Sequence, residues 1–225
     1  MHLCAIALFT LIFLASCGLV PKKQGGDILV IGDSVMAWNG FAGADIGDVI
    51  AAELDRDVVN RAALGARFQA GGAATLIGLN IPAQLSSGRW TWVVMNGGAN
   101  DLGGSCGCTR CDGVVDALIS ADGKVGQIPN LIARAQSQGA QVLWMGYYQA
   151  PKSTSFKGCR PALVELERRI ALHAGLRAGF YFLDAEDAFD PTDDTLFASD
   201  LTHPSQKGSA VLGRFLAKKM SESAL

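Results

Sequence analysis

The sequence carries no surplus of positive charge: 19 Lys and Arg stand against 21 Asp and Glu, for a formal net charge of -2. No basic patch interrupts that balance, which argues against the counterion-releasing phosphate contacts of nucleic-acid binding. Histidine is scarce, at three residues, so chemistry that needs an imidazole base has few positions open to it. There is no internal repeat and no long low-complexity tract, which removes repeat architectures from consideration. The N-terminal apolar run, Leu3 to Ala15, falls short of the roughly 20 residues that a membrane-spanning helix needs.

What is present describes one α/β domain. A chain of 225 residues with 49% hydrophobic and 18% charged content can bury a substantial core without dividing. Its 27 glycines include Gly32, Gly65, Gly97 and Gly98, placed where strands would turn into helices. Five β-like runs are expected, at Asp27 to Ile31, Val58 to Asn60, Trp90 to Asn96, Gln141 to Tyr147 and Phe180 to Leu183. Helical spacing separates them: Ile46, Val49, Ile50 and Leu54; Ile128, Leu131, Ile132 and Ala135; Leu163, Leu166 and Ile170. A last helix is predicted from about Ser205 to Met220. Alternation of this kind implies a mainly parallel sheet of five strands with helices on both faces, because parallel connections must cross over. Ligands of such sheets sit beyond the carboxyl ends of the strands.

The N-terminal run has the length of an export signal and ends in Leu14-Ala15-Ser16-Cys17. That ending resembles the lipobox of bacterial lipoproteins, which implies removal of residues 1–16 and acylation of Cys17. Several acyl chains, each contributing about 0.8 kcal/mol per buried CH2, would hold the protein on a membrane. The expected arrangement is therefore a signal peptide (1–16), an acylated Cys17 with a flexible tether to Gly26, and a folded domain over 27–225 at the bacterial cell envelope, facing the periplasm or the exterior. The pattern departs from the usual signal in lacking a positive first region, since only His2 stands beside the apolar run; a plain cleaved signal is the competing reading.

Chemistry-bearing residues gather at the predicted strand ends. Ser34 follows the first strand within Gly32-Asp33-Ser34, where backbone N–H groups and the dipole of a following helix would favour a developing negative charge; a simple helix cap is the alternative. Gly97-Gly98-Ala99-Asn100-Asp101 follows the third strand, and the Asn100 amide could donate into the same crevice. Gly65 lies beyond the second strand, where a glycine N–H can approach a ligand closely. Asp200-Leu201-Thr202-His203-Pro204 precedes the last helix. Its spacing lets Asp200 hold one imidazole nitrogen of His203 while the other takes the proton of Ser34. Among the three histidines, His2 falls in the signal and His173 inside a helical run, so His203 is the base the pattern selects. Trp38, Tyr147 and Tyr148 could line an acyl or aromatic pocket, or serve as core aromatics.

The order Gly32-Asp33-Ser34, Gly65, Gly98-x-Asn100-Asp101, Asp200-x-x-His203 resembles the four blocks of the SGNH, or GDSL, hydrolases, and the resemblance spans Gly32 to Gly208. It implies a three-layer α/β/α sandwich of flavodoxin-like type, with Ser34, His203 and Asp200 as catalytic residues. The oxyanion hole would be the Ser34 N–H, the Gly65 N–H and the Asn100 side chain. It implies no cofactor and no metal, and substrates drawn from lipid, thioester, aryl and acetylated-glycan esters. A monomer acting on a small-molecule, lipid or acetylated-glycan ester, with a membrane contact through its lipid anchor and none with nucleic acid, is the expectation. Transfer of the acyl group to a glycan hydroxyl, and a non-catalytic binding module on the same scaffold, are the competing functions.

Four cysteines remain beyond Cys4 and Cys17: Cys106, Cys108, Cys111 and Cys159. In an exported chain an even number favours disulfides, although the spacing also suits a structural zinc site. Strain in the small ring disfavours Cys106 with Cys108. Two pairings stay open: Cys106–Cys159 with Cys108–Cys111, or Cys108–Cys159 with Cys106–Cys111.

Overall fold

In the computed structural model, residues 27–223 are described; the expected signal, Cys17 and the tether to Gly26 lie outside them. The first half of the chain forms β1 (Ile28–Ile31), α1 (Ser34–Ala37), α2 (Ile46–Leu54), β2 (Val58–Asn60), α3 (Ala73–Leu76), α4 (Ile81–Gln84) and β3 (Trp92–Met95). The second half forms α5 (Ala99–Asp101), α6 (Asp112–Leu118), α7 (Gln127–Ser137), β4 (Gln141–Met145), α8 (Arg160–Leu176), β5 (Phe180–Leu183) and α9 (Gln206–Glu222).

The strands pair in the order β2-β1-β3-β4-β5, all parallel. The reason lies in their composition. Ile28, Leu29, Val30 and Ile31 have no exposed surface, as expected for a strand covered on both faces. Leu29 and Ile31 pack with Ile128, Leu131, Ile132, Leu166 and Ile170 of α7 and α8. Ile28 and Val30 pack with Ile46, Ile50, Leu212, Leu216 and Met220 of α2 and α9. Period-2 alternation therefore feeds two separate cores, and the result is three layers.

Local chemistry fixes the helix ends. Asp45 and Asp48 form a reciprocal capping box at α2, accepting from the Asp48 N–H (2.9 Å) and the Asp45 N–H (3.0 Å) respectively. Ser205 caps α9 by accepting from the Gly208 N–H at 3.1 Å. Helices α2 and α9 meet at Gly213, where a Cβ would stand 2.5 Å from the Val49 side chain; only a glycine allows that approach.

Several boundaries differ from the sequence expectation. β4 ends at Met145, not Tyr147, because the Tyr147 N–H leaves the sheet to donate to Glu167 Oε1 at 2.5 Å. β3 begins at Trp92, and α9 extends two residues beyond Met220. The helix expected directly after Ser34 is a single turn, α1, so its dipole is that of one turn and the long helix of this unit starts only at Ile46. The chain order reverses between β1 and β3, since β1 is followed by β2 on one side and then β3 on the other. A crevice at the carboxyl ends of β1 and β3 is the place this topology reserves for a ligand.

Candidate active site

Gly32-Asp33-Ser34 leaves β1 at that crevice, and buried side chains hold it there. Gln84 accepts from the Gly32 N–H at 2.7 Å and donates to the Gly32 carbonyl at 3.0 Å. Asn96, at the end of β3, accepts from the Asp33 N–H and donates to Asp33 Oδ1, both at 3.0 Å. A Cβ at Gly32, whose φ is +146°, would stand 2.0 Å from Asn96 Oδ1, so this contact requires glycine. Asp33 also caps α1 by accepting from the Val35 N–H at 3.0 Å, and the Tyr147 hydroxyl donates to its other oxygen. Burial pushes the Asp33 carboxyl above its ordinary range, with the hydrogen bonds from Tyr147, Val35 and Asn96 acting against that rise.

On this support Ser34 Oγ lies 2.8 Å from His203 Nε2, and His203 Nδ1 lies 2.5 Å from Asp200 Oδ2. Asp200 accepts the Nδ1 proton, which leaves Nε2 as the acceptor for the Ser34 hydroxyl. Asp200 Oδ1 additionally accepts from the Thr202 and His203 N–H groups, both at 3.0 Å. Burial opposes its charge, but the hydrogen bonds from the His203 ring and backbone and from Thr202 hold it below the usual carboxylate range. The loop is fixed from outside as well. The Tyr148 hydroxyl donates to the Thr202 carbonyl at 2.8 Å, and Asn39 Nδ2 donates to the Pro204 carbonyl at 3.1 Å.

Two cavities adjoin here, and the first opens on this serine. One, of about 190 Å³, is bounded by Ser34, His203 and Thr202 and walled by Val35, Ala99, Tyr147, Tyr148, Phe156 and Leu163. The other, of about 380 Å³, is bounded by Gly65, Arg67, Asn100, Gly103, Gly104 and Phe156, so Phe156 is the shared wall. Asn100 donates to the Ala66 carbonyl at 3.0 Å with one amide hydrogen and retains a second. Asp101 accepts from the Phe68 N–H at 3.0 Å and the Gln69 N–H at 2.9 Å. Burial pushes this carboxyl up, against those two hydrogen bonds. The Asn100-Asp101 pair thereby clamps the loop that carries Gly65.

The structure thus joins Ser34, His203 and Asp200 in one relay and sets Gly65 and Asn100 in the adjoining cavity. Tyr147 and Tyr148 line the first cavity and also belong to the buried core, while their hydroxyls serve Asp33 and Thr202. Trp38 does not line either cavity: its ring stacks on the His203 imidazole, with centroids 3.8 Å apart and planes 4° from parallel. It is a platform for the base, because α1 ends at Ala37 and turns Trp38 toward the histidine loop. Sequence reasoning did not reach Gln84, Asn96 or the buried role of Asp33. A polar residue closing an apolar strand, as Asn96 does, was the available signal. The four cysteines pair as Cys106–Cys111 and Cys108–Cys159, the second of the two connectivities, which joins the loop after β3 to the start of α8.

A model of the GDSL-like lipase/acylhydrolase family matches residues 30–211. No curated protein sequence matches the chain. Among solved structures, an acetyl-xylooligosaccharide esterase variant from Geobacillus stearothermophilus superposes with a TM-score of 0.61 at 19% identity, over 88% of this chain and 95% of that one. A GDSL-like lipase from Bacteroides thetaiotaomicron gives 0.58 at 16% identity, over 88% of each chain. A family two carbohydrate esterase from Clostridium thermocellum gives 0.57 at 18% identity, over 90% of this chain and 65% of that one. At these identities the likeness is one of fold.

Proposed function

The chain belongs to the GDSL-like lipase/acylhydrolase family of ester hydrolases, and from that premise we propose a serine esterase of the bacterial cell envelope that works through an acyl-serine intermediate. The observation that carries this reading is the relay itself, Ser34 Oγ to His203 Nε2 at 2.8 Å and His203 Nδ1 to Asp200 Oδ2 at 2.5 Å. Ser34 Oγ attacks the ester carbonyl as its proton passes to His203 Nε2. Asp200 keeps the imidazole in the required tautomer and stabilises the imidazolium, and the face of Trp38 adds a favourable cation–π contact to that charged state. The Ser34 and Gly65 N–H groups and the remaining Asn100 amide hydrogen receive the oxyanion. His203 returns its proton to the leaving alcohol. Water, deprotonated by the same nitrogen, then releases the acid and restores Ser34.

The apolar walls of the cavity at Ser34 suit the hydrocarbon part of an acyl group. The carbohydrate esterases of similar fold support an acetylated glycan as the physiological ester, and the lipobox-like Cys17 supports an address at the envelope through a lipid anchor. A series of 4-nitrophenyl esters of increasing acyl length, with product analysis in the presence and absence of a glycan acceptor, tests the reading. Hydrolysis that falls as the acyl chain outgrows the cavity supports it. Acylated glycan as the dominant product would replace hydrolysis by transfer, and no turnover of any ester would remove the enzyme reading.

A further inference from the structure

The two cavities differ in how they treat charge. Arg160 borders the apolar cavity, but its guanidinium is neutralised by an ion pair with Glu186. Arg67 borders the polar cavity and has no such partner: among the described residues no acceptor lies within hydrogen-bond or ion-pair distance of its guanidinium. Its electrostatic neighbour is Asp101, whose carboxylate accepts from the Phe68 and Gln69 N–H groups and makes no hydrogen bond or ion pair with the guanidinium.

The position of the arginine is fixed. Its N–H donates to the Leu79 carbonyl at 3.0 Å, and its carbonyl accepts from the Ile81 N–H at 3.1 Å. A Cβ at Gly104 would stand 2.8 Å from Arg67 Nη1, so the guanidinium lies directly over that glycine, in the cavity wall. Gly65 and Asn100 border the same space. A planar fork of N–H donors without an acceptor, beside amide donors and at the edge of the ester site, is a receptor for a carboxylate or a phosphate.

We propose that the polar cavity beside Gly65 and Asn100 is an anion-binding subsite in which Arg67 receives a carboxylate or phosphate carried by the ester substrate. The assignment rests on the esterase reading above and deepens it: the preferred substrates are anionic esters, with the hydrocarbon part in the apolar cavity and the charge on Arg67.

The test compares kcat/KM of wild type, Arg67→Met and Arg67→Lys on neutral 4-nitrophenyl acetate and on two anionic esters. In 3-carboxy-4-nitrophenyl acetate the charge is on the alcohol half, and in mono-4-nitrophenyl succinate it is on the acyl half. The ratio of anionic to neutral kcat/KM falls at least about tenfold in Arg67→Met for one of them, as loss of a charge-assisted pair requires, and Arg67→Lys recovers part of it. The ester that responds tells which half enters the polar cavity. In parallel, glycerate, glycerol 3-phosphate and glycerol are titrated while the backbone amide resonances of Gly65, Gly103 and Gly104 are followed. The two anions shift these resonances in wild type and not in Arg67→Met, the stronger of the two identifies the preferred anion, and glycerol has no effect. Unchanged ratios for both anionic esters, or amide resonances indifferent to both anions, overturn the proposal. If no ester, neutral or anionic, is hydrolysed, the esterase reading fails while the amide titration still decides Arg67.

Discussion

Replacing Tyr147 by Phe removes one oxygen that serves two buried partners. The hydroxyl donates to Asp33 Oδ2 and accepts from the Ala99 N–H at 3.2 Å. Tyr147 and Asp33 are 8% and 1% exposed, so bulk water cannot replace the lost oxygen freely. A hydrogen bond to a charged group is worth about 1.5–3 kcal/mol, and an orphaned buried N–H costs about 1–3 kcal/mol; together the substitution should destabilise the protein by about 2.5–6 kcal/mol. For a domain of this size that lowers Tm by roughly 10 °C. The loss also depends on pH. Burial already raises Asp33 in the folded protein, and a raised carboxyl contributes stability at low pH that disappears as pH climbs through its folded value. Losing the tyrosine donor raises Asp33 further, so the difference between wild type and Tyr147→Phe grows with pH. Urea and thermal unfolding at about pH 5 and about pH 8 measure both effects. A Tm within about 2 °C of wild type, or a difference larger at the lower pH, would refute the reasoning.

Asn100→Ala should lower kcat by roughly a hundredfold to a thousandfold, as loss of one oxyanion donor does, with a much smaller change in Tm; steady-state kinetics and a melting curve check the pair, and normal turnover would take Asn100 out of the site. The Cys108–Cys159 bridge closes a separation of 51 residues, so Cys108→Ser with Cys159→Ser should cost about 4 kcal/mol in the chain-entropy account, read by urea unfolding. Free thiols at all four positions in protein purified from the periplasm would contradict both bridges. Burial pushes Glu167 up to about 7 from an ordinary 4.5. That raised carboxyl contributes about 3 kcal/mol below the unfolded value, which is lost as pH rises to the folded one. Glu167→Gln should therefore abolish this part of the stability change between about pH 4.5 and pH 7, and an unaltered pH profile of unfolding would remove Glu167 as its source.

The strands were legible because a parallel sheet covered on both faces demands continuous apolar runs, and Ile28 to Ile31 or Val142 to Met145 are such runs. The relay was legible because Ser34 stands at a strand end and Asp200 and His203 at a spacing that one tight turn can close. What escaped was carried by contacts between residues far apart in sequence. Gln84 meets Gly32 across a separation of 52, Asn96 meets Asp33 across 63, and Tyr147 meets Asp33 across 114. No local pattern marks such pairs. Trp38 went to the imidazole instead of a pocket because the helix after Ser34 is one turn long, and helical periodicity around Ser34 was too brief to show it. The cysteine pairing was decided by which loops the sheet order brings together, a tertiary fact that spacing left at two possibilities.

The most direct test of the central claim is labelling with a fluorophosphonate, followed by peptide mapping, in wild type and in Ser34→Ala and His203→Ala. A single adduct on Ser34, abolished in the first variant and slowed by orders of magnitude in the second, is the predicted outcome. An adduct on another residue, or a rate on Ser34 indifferent to the loss of His203, would contradict it.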